Sequence, residues 1–174
     1  MTSEPQYPLA NSPMRDPGVD GIKTRIISAL LDLYRHDYEL FDAEANERSI
    51  THKLAEYLQR QFPFWHVDCE YNRRENETKK IGRKRVFPDI IVHKRRTIDN
   101  LLVIEVKKGV GNYTDDVNKI RRFLSSPKYL YRYGLFLALK NEGCIRALFI
   151  RNNSEDIDWT TEIQRYLVEL GHGE

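Results

Sequence analysis

The sequence predicts a single α/β domain, of the α+β kind, with a central mixed sheet of four to five strands flanked by helices. Three observations predict it. Two segments near the N-terminus carry apolar residues at helical spacing, five later segments are short apolar runs typical of strands, and further helical segments separate and follow those runs. The 174 residues suffice for one domain with a substantial core and are too few for two ordinary domains.

The first elements are helical. Residues 1–18 are rich in proline and lack apolar periodicity, so we expect a flexible or loosely docked tail before one domain that spans residues 19–174. Residues 20–40 carry apolar side chains at helical spacing and predict an amphipathic helix. A second helix is predicted from about Asn46 to Gln61, because a helical stripe of apolar residues ends just before a proline.

The rest of the chain alternates strands with helices. In chain order the sequence predicts a strand at 65–73, a basic loop at 74–85 broken by Gly82, strands at 86–94 and 100–108, a helix from Asp115 or Asp116 to Pro127, strands at 133–141 and 144–152, and a helix at 156–170. The resulting order, α-α-β-β-β-α-β-β-α, predicts a mixed sheet with helices packed on it.

The composition excludes several classes of protein. Hydrophobic residues make up 40% of the chain and charged residues 31%, as in ordinary globular proteins. No apolar run approaches the roughly 20 residues that span a bilayer, and the N-terminal segment lacks the order of a signal peptide. Cys69 and Cys144 form neither a disulfide framework nor a Cys-x-x-Cys metal motif. We therefore expect a cytoplasmic protein without membrane association.

Three charged residues lie inside the predicted strand pair 86–94 and 100–108. If a tight connection around residues 96–99 joins the strands, Asp89 and Glu105 are equidistant from Thr97 and should face each other across the ladder. Directly opposed side chains have Cβ atoms about 5 Å apart. Lys107 shares their face, because it lies two residues beyond Glu105. A register slip of one residue would destroy this convergence.

Two opposed carboxylates in a partly buried sheet require a proton or a cation between them. Carboxylate oxygens are preferred ligands of Mg²⁺, which often takes one or two of them together with water and substrate phosphate oxygens. A third carboxylate is available from Glu47, which lies on the apolar stripe of the second helix at its first turn and should face the sheet. Favourable interaction with the helix N-terminus is the alternative explanation for Glu47.

The sequences "PDIIV" and "EVK" resemble the two halves of the motif of the PD-(D/E)xK, or restriction-endonuclease-like, nuclease superfamily. Pro88 and Asp89 match the first half, and Glu105 with Lys107 matches the second. The order of elements over roughly residues 44–140 also resembles the αβββαβ core of that superfamily, here with an additional N-terminal helix.

The resemblance implies a metal-dependent deoxyribonuclease that hydrolyses phosphodiester bonds with Mg²⁺ or Mn²⁺. Asp89 and Glu105 would be metal ligands, Lys107 the catalytic lysine, and Glu47 an auxiliary acid that completes the catalytic and metal-binding set. No helix-turn-helix or zinc finger is present to read bases, so we expect an endonuclease with structural or weak sequence selectivity. A homodimer is plausible by analogy, with the helices at 20–40 and 157–170 as the candidate surfaces.

Clustered basic residues predict a nucleic acid partner, and we expect DNA, although the formal net charge is only +2. A solvated basic surface without a partner is the alternative. The candidate phosphate-binding residues are Arg73, Arg74, Lys84, Arg85, Lys94, Lys119 and Arg122. For Lys119 and Arg122 we favour a position on a solvated helix face over a contact with phosphate.

Other residues are weaker candidates. Asp116 could turn toward the site from its helix, and Glu70 could reach the metal or form a structural ion pair with a nearby arginine. Tyr71 and Asn72 could line the substrate path. The five histidines are expected to be structural or exposed, because no pair has the spacing of a zinc helix. Alternating Tyr129, Tyr131 and Tyr133 could stack on bases, but core packing is the commoner role.

Two other functions remain open from the sequence. One is a catalytically silent nucleic-acid-binding or assembly module with the same fold. The other is an enzyme of a different class or a nuclease that acts on RNA.

Overall fold

A computed structural model describes residues 16–42, 46–70, 87–151 and 156–171, together with the backbone of four short strands between residues 73 and 85. The helices are α1 Gly18–His36, α2 Glu39–Asp42, α3 Glu47–Gln61, α4 Thr114–Ser125 and α5 Thr160–Gly171. The strands are β1 His66–Cys69, β2 Arg73–Arg74, β3 Glu77–Thr78, β4 Lys80–Ile81, β5 Lys84–Arg85, β6 Ile90–His93, β7 Asn100–Lys108, β8 Tyr133–Lys140, β9 Gly143–Arg151 and β10 Ile157–Asp158.

Six strands of the described chain form one mixed sheet in the order β1-β6-β7-β8-β9-β10. Neighbouring strands are antiparallel except β7 and β8, which run parallel because α4 carries the chain back across the sheet between them. β7 lies in the interior of the sheet, and its first seven residues are buried. Its apolar run follows from this position, since a strand covered on both faces has no alternating polar side.

Two helical layers cover the sheet. α1, α3 and α5 pack on one face in the larger hydrophobic cluster, which contains Leu102, Ile104 and Val106 of β7. α4 packs on the other face in a smaller cluster, which contains Val103 of the same strand. Alternate residues of β7 therefore face different layers, and Glu105 shares the face of Val103 under α4.

Gly134 of β8 allows α4 to approach the sheet closely. A Cβ atom at this position would lie 2.2 Å from Ile120 Cγ2 and 3.3 Å from Leu124 Cδ1. Both neighbours belong to the buried face of α4. The small residue in β8 thus sets the distance at which α4 is held over β7.

We expect Gly134→Ala to lower the free energy of unfolding by about 1–3 kcal/mol, because the added methyl group overpacks the contact with α4. Urea denaturation would measure the change. Gly111→Ala is the matched control, since its Cβ would meet Tyr113 Cε1 at an ordinary 3.6 Å. Equal stabilities of the two variants would contradict this account of α4 packing.

The α/β class with a mixed sheet flanked by helices is confirmed, but the described sheet has six strands instead of four to five. The extra strand is β10, which the sequence assigned to a terminal helix starting at 156. Ile157 pairs with Phe149 of β9, and the Asp158 carboxylate accepts the Thr160 N–H at 2.9 Å. The Asp158 side chain therefore closes a turn just before α5, which begins later than the apolar spacing predicts.

Other boundaries also differ from the prediction. The helix expected at 20–40 ends at His36, because Asp37 leaves helical geometry with φ −133°. The segment 74–85 is not a plain loop, since β2 pairs with β3 and β4 with β5. Two-residue strands are too short to show apolar alternation, so the sequence pattern gave no signal for them. The tail at 1–18 lies outside the described residues up to residue 15, and α1 begins at Gly18.

Cys69 and Cys144 are free thiols, as the absence of a disulfide pattern predicts. None of the described helices combines the length and the apolar character that crossing a bilayer requires.

Candidate active site

The β6–β7 hairpin brings Asp89 and Glu105 together. Ile90 pairs with Ile104, so Asp89, one residue before β6, falls opposite Glu105 in the same register. The Val106 N–H donates to Asp89 Oδ2 at 2.8 Å, and the Glu70 N–H donates to the Asp89 carbonyl at 3.0 Å. The predicted register is therefore confirmed, and backbone groups from both flanking strands hold Asp89.

Glu105 is the most deeply buried charged group of the site, with 1% of its surface exposed. Its Oε2 accepts from Lys119 Nζ at 2.7 Å, whereas its buried Oε1 has no hydrogen-bond partner among the described residues. Burial and then the charge of Asp89 raise the pKa of this carboxyl, Lys119 opposes both, and the resulting pKa is about 8. Glu105 is thus held in a position where an additional cation would relieve an unfavourable burial.

At Asp89, too, burial and the neighbouring hydrogen bond and positive charges act on the pKa in opposite directions. Burial raises its pKa, while the Val106 N–H and the charges of Lys119 and then Lys107 lower it. Lys119 therefore acts on both carboxylates of the pair.

Lys107 follows Glu105 on the same face and makes two ion pairs. Its Nζ donates to Glu47 Oε1 at 3.0 Å and lies 3.7 Å from Asp116 Oδ1. Partial burial lowers the pKa of Lys107, but the hydrogen bond and the charge of Glu47, with further help from Asp116 and Asp89, raise it overall. The lysine is therefore held in its charged form beside the carboxylate pair.

Glu47 reaches the site from the helical layer on the opposite face of the sheet. Asn46 caps α3 by accepting the Ser49 N–H at 3.0 Å, which places Glu47 at the first helical position. Its Oε2 accepts the Lys108 N–H at 3.1 Å, so both carboxylate oxygens are engaged by the end of β7. Glu47 faces the sheet as predicted, and in this arrangement it positions Lys107.

Replacing Glu47 by glutamine should lower the pKa of Lys107, because the amide keeps a hydrogen-bond acceptor but removes the charge that stabilises the ammonium. NMR titration of the lysine ε-methylene groups would measure it. Glu56→Gln is the matched control, since Glu56 lies on the same helix and pairs instead with Lys53 and Arg60. An unchanged Lys107 pKa in Glu47→Gln would show that Glu47 does not control this lysine.

We call the group formed by Glu47, Asp89, Glu105, Asp116, Lys107 and Lys119 the carboxylate centre. Within the described chain it contains four carboxylates and two ammonium groups that pair with them. When all six groups are ionised, negative charges therefore exceed positive charges by two. A divalent cation matches that excess.

The chemistry of the donor set fits Mg²⁺ or Mn²⁺, which prefer carboxylate oxygens. The unpartnered buried Oε1 of Glu105 is the observation that favours such an ion. In the described part of the chain, no three carboxylate, imidazole or thiol groups surround one ion position.

The predicted phosphate-binding residues lie in different parts of the structure. Lys119 belongs to the carboxylate centre, and Arg122 is exposed one turn further along α4. Lys94 pairs with Asp99 at the turn of the hairpin, five residues from Asp89, which puts it roughly 17 Å away along the strand. The structure therefore does not bring Lys94 to the carboxylate centre. Four other side chains, those of Arg73, Arg74, Lys84 and Arg85, lie outside the described residues, as do Tyr71 and Asn72.

Several of the weaker candidates form ion pairs or pack in the hydrophobic core. Glu70 pairs with Arg48 at 2.8 Å. Tyr129 and Tyr131 are buried against Phe123, while Tyr133 stacks on Phe149 in the other cluster. The alternation of the three tyrosines thus reflects core packing on two different faces.

The sequence did not predict two interactions. The first is the direct contact between Lys119 and Glu105. The sequence does contain a signal for it: Asp116 and Lys119 are three residues apart on an amphipathic helix, so their side chains share a face. The second is the pairing of the Asp68 carboxylate with buried His93 and with Arg95. Burial alone would raise the pKa of Asp68, but the hydrogen bonds and charges of these two partners lower it overall. No local pattern connects these three residues.

Comparison with models of protein families and with curated proteins finds no match for this chain.

Proposed function

We propose that the protein is a divalent-metal-dependent nuclease that hydrolyses phosphodiester bonds of DNA, in the manner of the PD-(D/E)xK superfamily that its motif resembles. The observation that carries the proposal is the opposed pair of Asp89 and Glu105, with a buried Glu105 oxygen that lacks a partner. The formal excess of two negative charges in the carboxylate centre adds support.

Asp89 and Glu105 would hold Mg²⁺ or Mn²⁺. The bound ion would supply positive charge for the phosphodiester and lower the pKa of a water molecule. Lys107 would add positive charge where negative charge develops on the phosphoryl oxygens. Glu47 would orient Lys107, since it receives the lysine's hydrogen bond at 3.0 Å.

DNA is the proposed substrate because basic residues flank the motif in the sequence, notably between 73 and 85. Such residues give affinity for phosphates that falls with salt and carries little sequence information. We therefore propose selectivity for the form of the nucleic acid over its sequence. An enzyme that prefers RNA would use the same chemistry at this centre.

The test is a titration of Mg²⁺ and Mn²⁺ with linear, supercoiled, branched and single-stranded DNA in parallel, and with RNA of matched length. We expect metal-dependent cleavage of at least one DNA form and none in excess chelator. If no form of DNA and no RNA is cleaved, the proposal is refuted. If RNA alone is cleaved, the protein is a nuclease whose substrate is RNA and not DNA.

A catalytically silent binding module is the second candidate, and one observation favours it. Both lysines of the carboxylate centre already have a carboxyl partner within it, Glu47 for Lys107 and Glu105 for Lys119. A silent module would bind DNA equally well with and without divalent ions. Calorimetry that detects no Mg²⁺ binding to the protein would decide in its favour.

A further inference from the structure

Lys119 places its ammonium group beside Glu105, the most deeply buried carboxyl of the carboxylate centre. Its Nζ lies 2.7 Å from Glu105 Oε2, and the pair joins α4 to β7. Its charge also acts on Asp89, more strongly than that of Lys107. The Lys119 ammonium thus serves the same two carboxylates that would hold a divalent ion.

Lys107 cannot replace Lys119 in this role without breaking other contacts. Its Nζ is 3.0 Å from Glu47 and 3.7 Å from Asp116. The two lysines therefore have different partners: Lys107 belongs to the helix α3 side of the carboxylate centre, and Lys119 belongs to the carboxylate pair.

We propose that Lys119 competes internally with the divalent cation, holding Glu105 while the centre is metal-free and leaving it when the ion binds. The inference rests on the proposed function, because it assumes that Asp89 and Glu105 bind the ion. Its consequence is that Lys119 sets the metal concentration at which the protein becomes loaded.

The side chain of Lys119 is suited to leave. It is 25% exposed, whereas that of Glu105 is 1% exposed, so the ammonium already has access to solvent. A lysine has a long flexible stem and a strongly hydrated point charge, so it can move into water without a change in the backbone. Competition needs no displacement of α4, whose apolar face remains packed on the sheet.

Removal of the competing charge should strengthen metal binding. We expect Lys119→Met to bind Mg²⁺ at least about tenfold more tightly than the parent, since a unit charge a few ångströms away opposes the ion strongly. Lys119→Gln should also bind more tightly, because its amide can donate to Glu105 but carries no charge. Lys119→Arg retains the charge and should resemble the parent.

Isothermal calorimetry with Mg²⁺ at several pH values above 8 would measure these affinities on the full chain, after circular dichroism has verified the fold. The variants are compared where the affinity no longer changes with pH, because loss of the Lys119 charge raises the pKa of Glu105 further. Arg121→Met is the matched control, because Arg121 lies on the same helix but pairs with Asp156 outside the carboxylate centre. Thermal unfolding with and without Mg²⁺ gives a second readout, in which Lys119→Met should be stabilised by the ion more than the parent. If Lys119→Met does not fold, Lys119→Gln decides.

Two results would overturn the inference and differ in what they leave standing. If the parent binds Mg²⁺ and cleaves DNA but the neutral variants bind the ion no more tightly, Lys119 is not a competitor and the nuclease proposal survives. If neither the parent nor any folded variant binds Mg²⁺, the inference and the proposed function both fail.

Discussion

Asparagine in place of Asp89 should reduce metal-dependent DNA cleavage by at least about a hundredfold, the loss expected when one electrostatic contribution to the transition state is removed. The amide oxygen of asparagine can still accept the Val106 N–H that Asp89 Oδ2 accepts at 2.8 Å, so the hairpin should persist. What disappears is one of the two negative charges that would hold the ion. Lys107→Met should have a comparable effect through loss of positive charge beside the substrate.

Asp99→Asn is the matched control for this prediction. Asp99 lies in the same hairpin but at its turn, where it pairs with Lys94 and Arg132. Cleavage should continue at the parental rate in this variant, as measured by initial rates on the preferred DNA form. Parental rates in folded Asp89→Asn would exclude the carboxylate centre as the active site.

The folding stability of the metal-free protein should fall as the pH rises from about 4.5 to about 8. In the unfolded chain the Glu105 carboxyl ionises near 4.5, whereas in the folded protein its pKa is raised to about 8. Within this window the folded state binds more protons than the unfolded state, so stability decreases with pH. The decrease from this group is at most about 1.4 kcal/mol for each pH unit, and Asp89, whose pKa is also raised, acts in the same direction.

Urea denaturation at several pH values, with and without Mg²⁺, would measure this dependence. Glu105→Gln replaces the protonated acid by a neutral group of the same shape, so it should match the parent at pH 5 and be more stable at pH 8.5 in chelator. Mg²⁺ should stabilise the parent above pH 7 and leave Glu105→Gln nearly unchanged. Parallel stability curves for the two proteins would rule out the raised Glu105 pKa.

The convergence of Asp89 and Glu105 could be predicted from sequence because a short connection fixes the register of a hairpin. Counting outward from a turn near Thr97 predicts that Asp89 faces Glu105, and the structure has Ile90 opposite Ile104 as this requires. The pair next to the turn, His93 with Asn100, is one residue out of this register, because the ladder is irregular between Val92 and His93. Glu47 could also be placed, since its helical stripe and the Asn46 cap are both local signals.

The surroundings of the carboxylate pair could not be predicted in the same way. The contact of Lys119 with Glu105 depends on how closely α4 approaches β7, which is set by packing against Gly134 on another strand. The sequence shows that Lys119 is on an amphipathic helix but not which solvent-side residues reach the sheet. Lys94 is close in sequence to Asp89, but it lies at the far end of an extended strand, where it pairs with Asp99. Its predicted role in phosphate binding stays a prediction.

The central claim is that Asp89 and Glu105 together bind a divalent cation, and the proton balance of that binding tests it most directly. Glu105 keeps its proton up to a pH of about 8 in the metal-free protein and must lose it to coordinate an ion. Calorimetric titration of Mg²⁺ at pH 7 in two buffers with different ionisation enthalpies should show binding with release of up to one proton, and Glu105→Gln should show neither. Absence of saturable Mg²⁺ binding, or binding that Glu105→Gln retains, would contradict the account, and binding without proton release would contradict the raised pKa of Glu105.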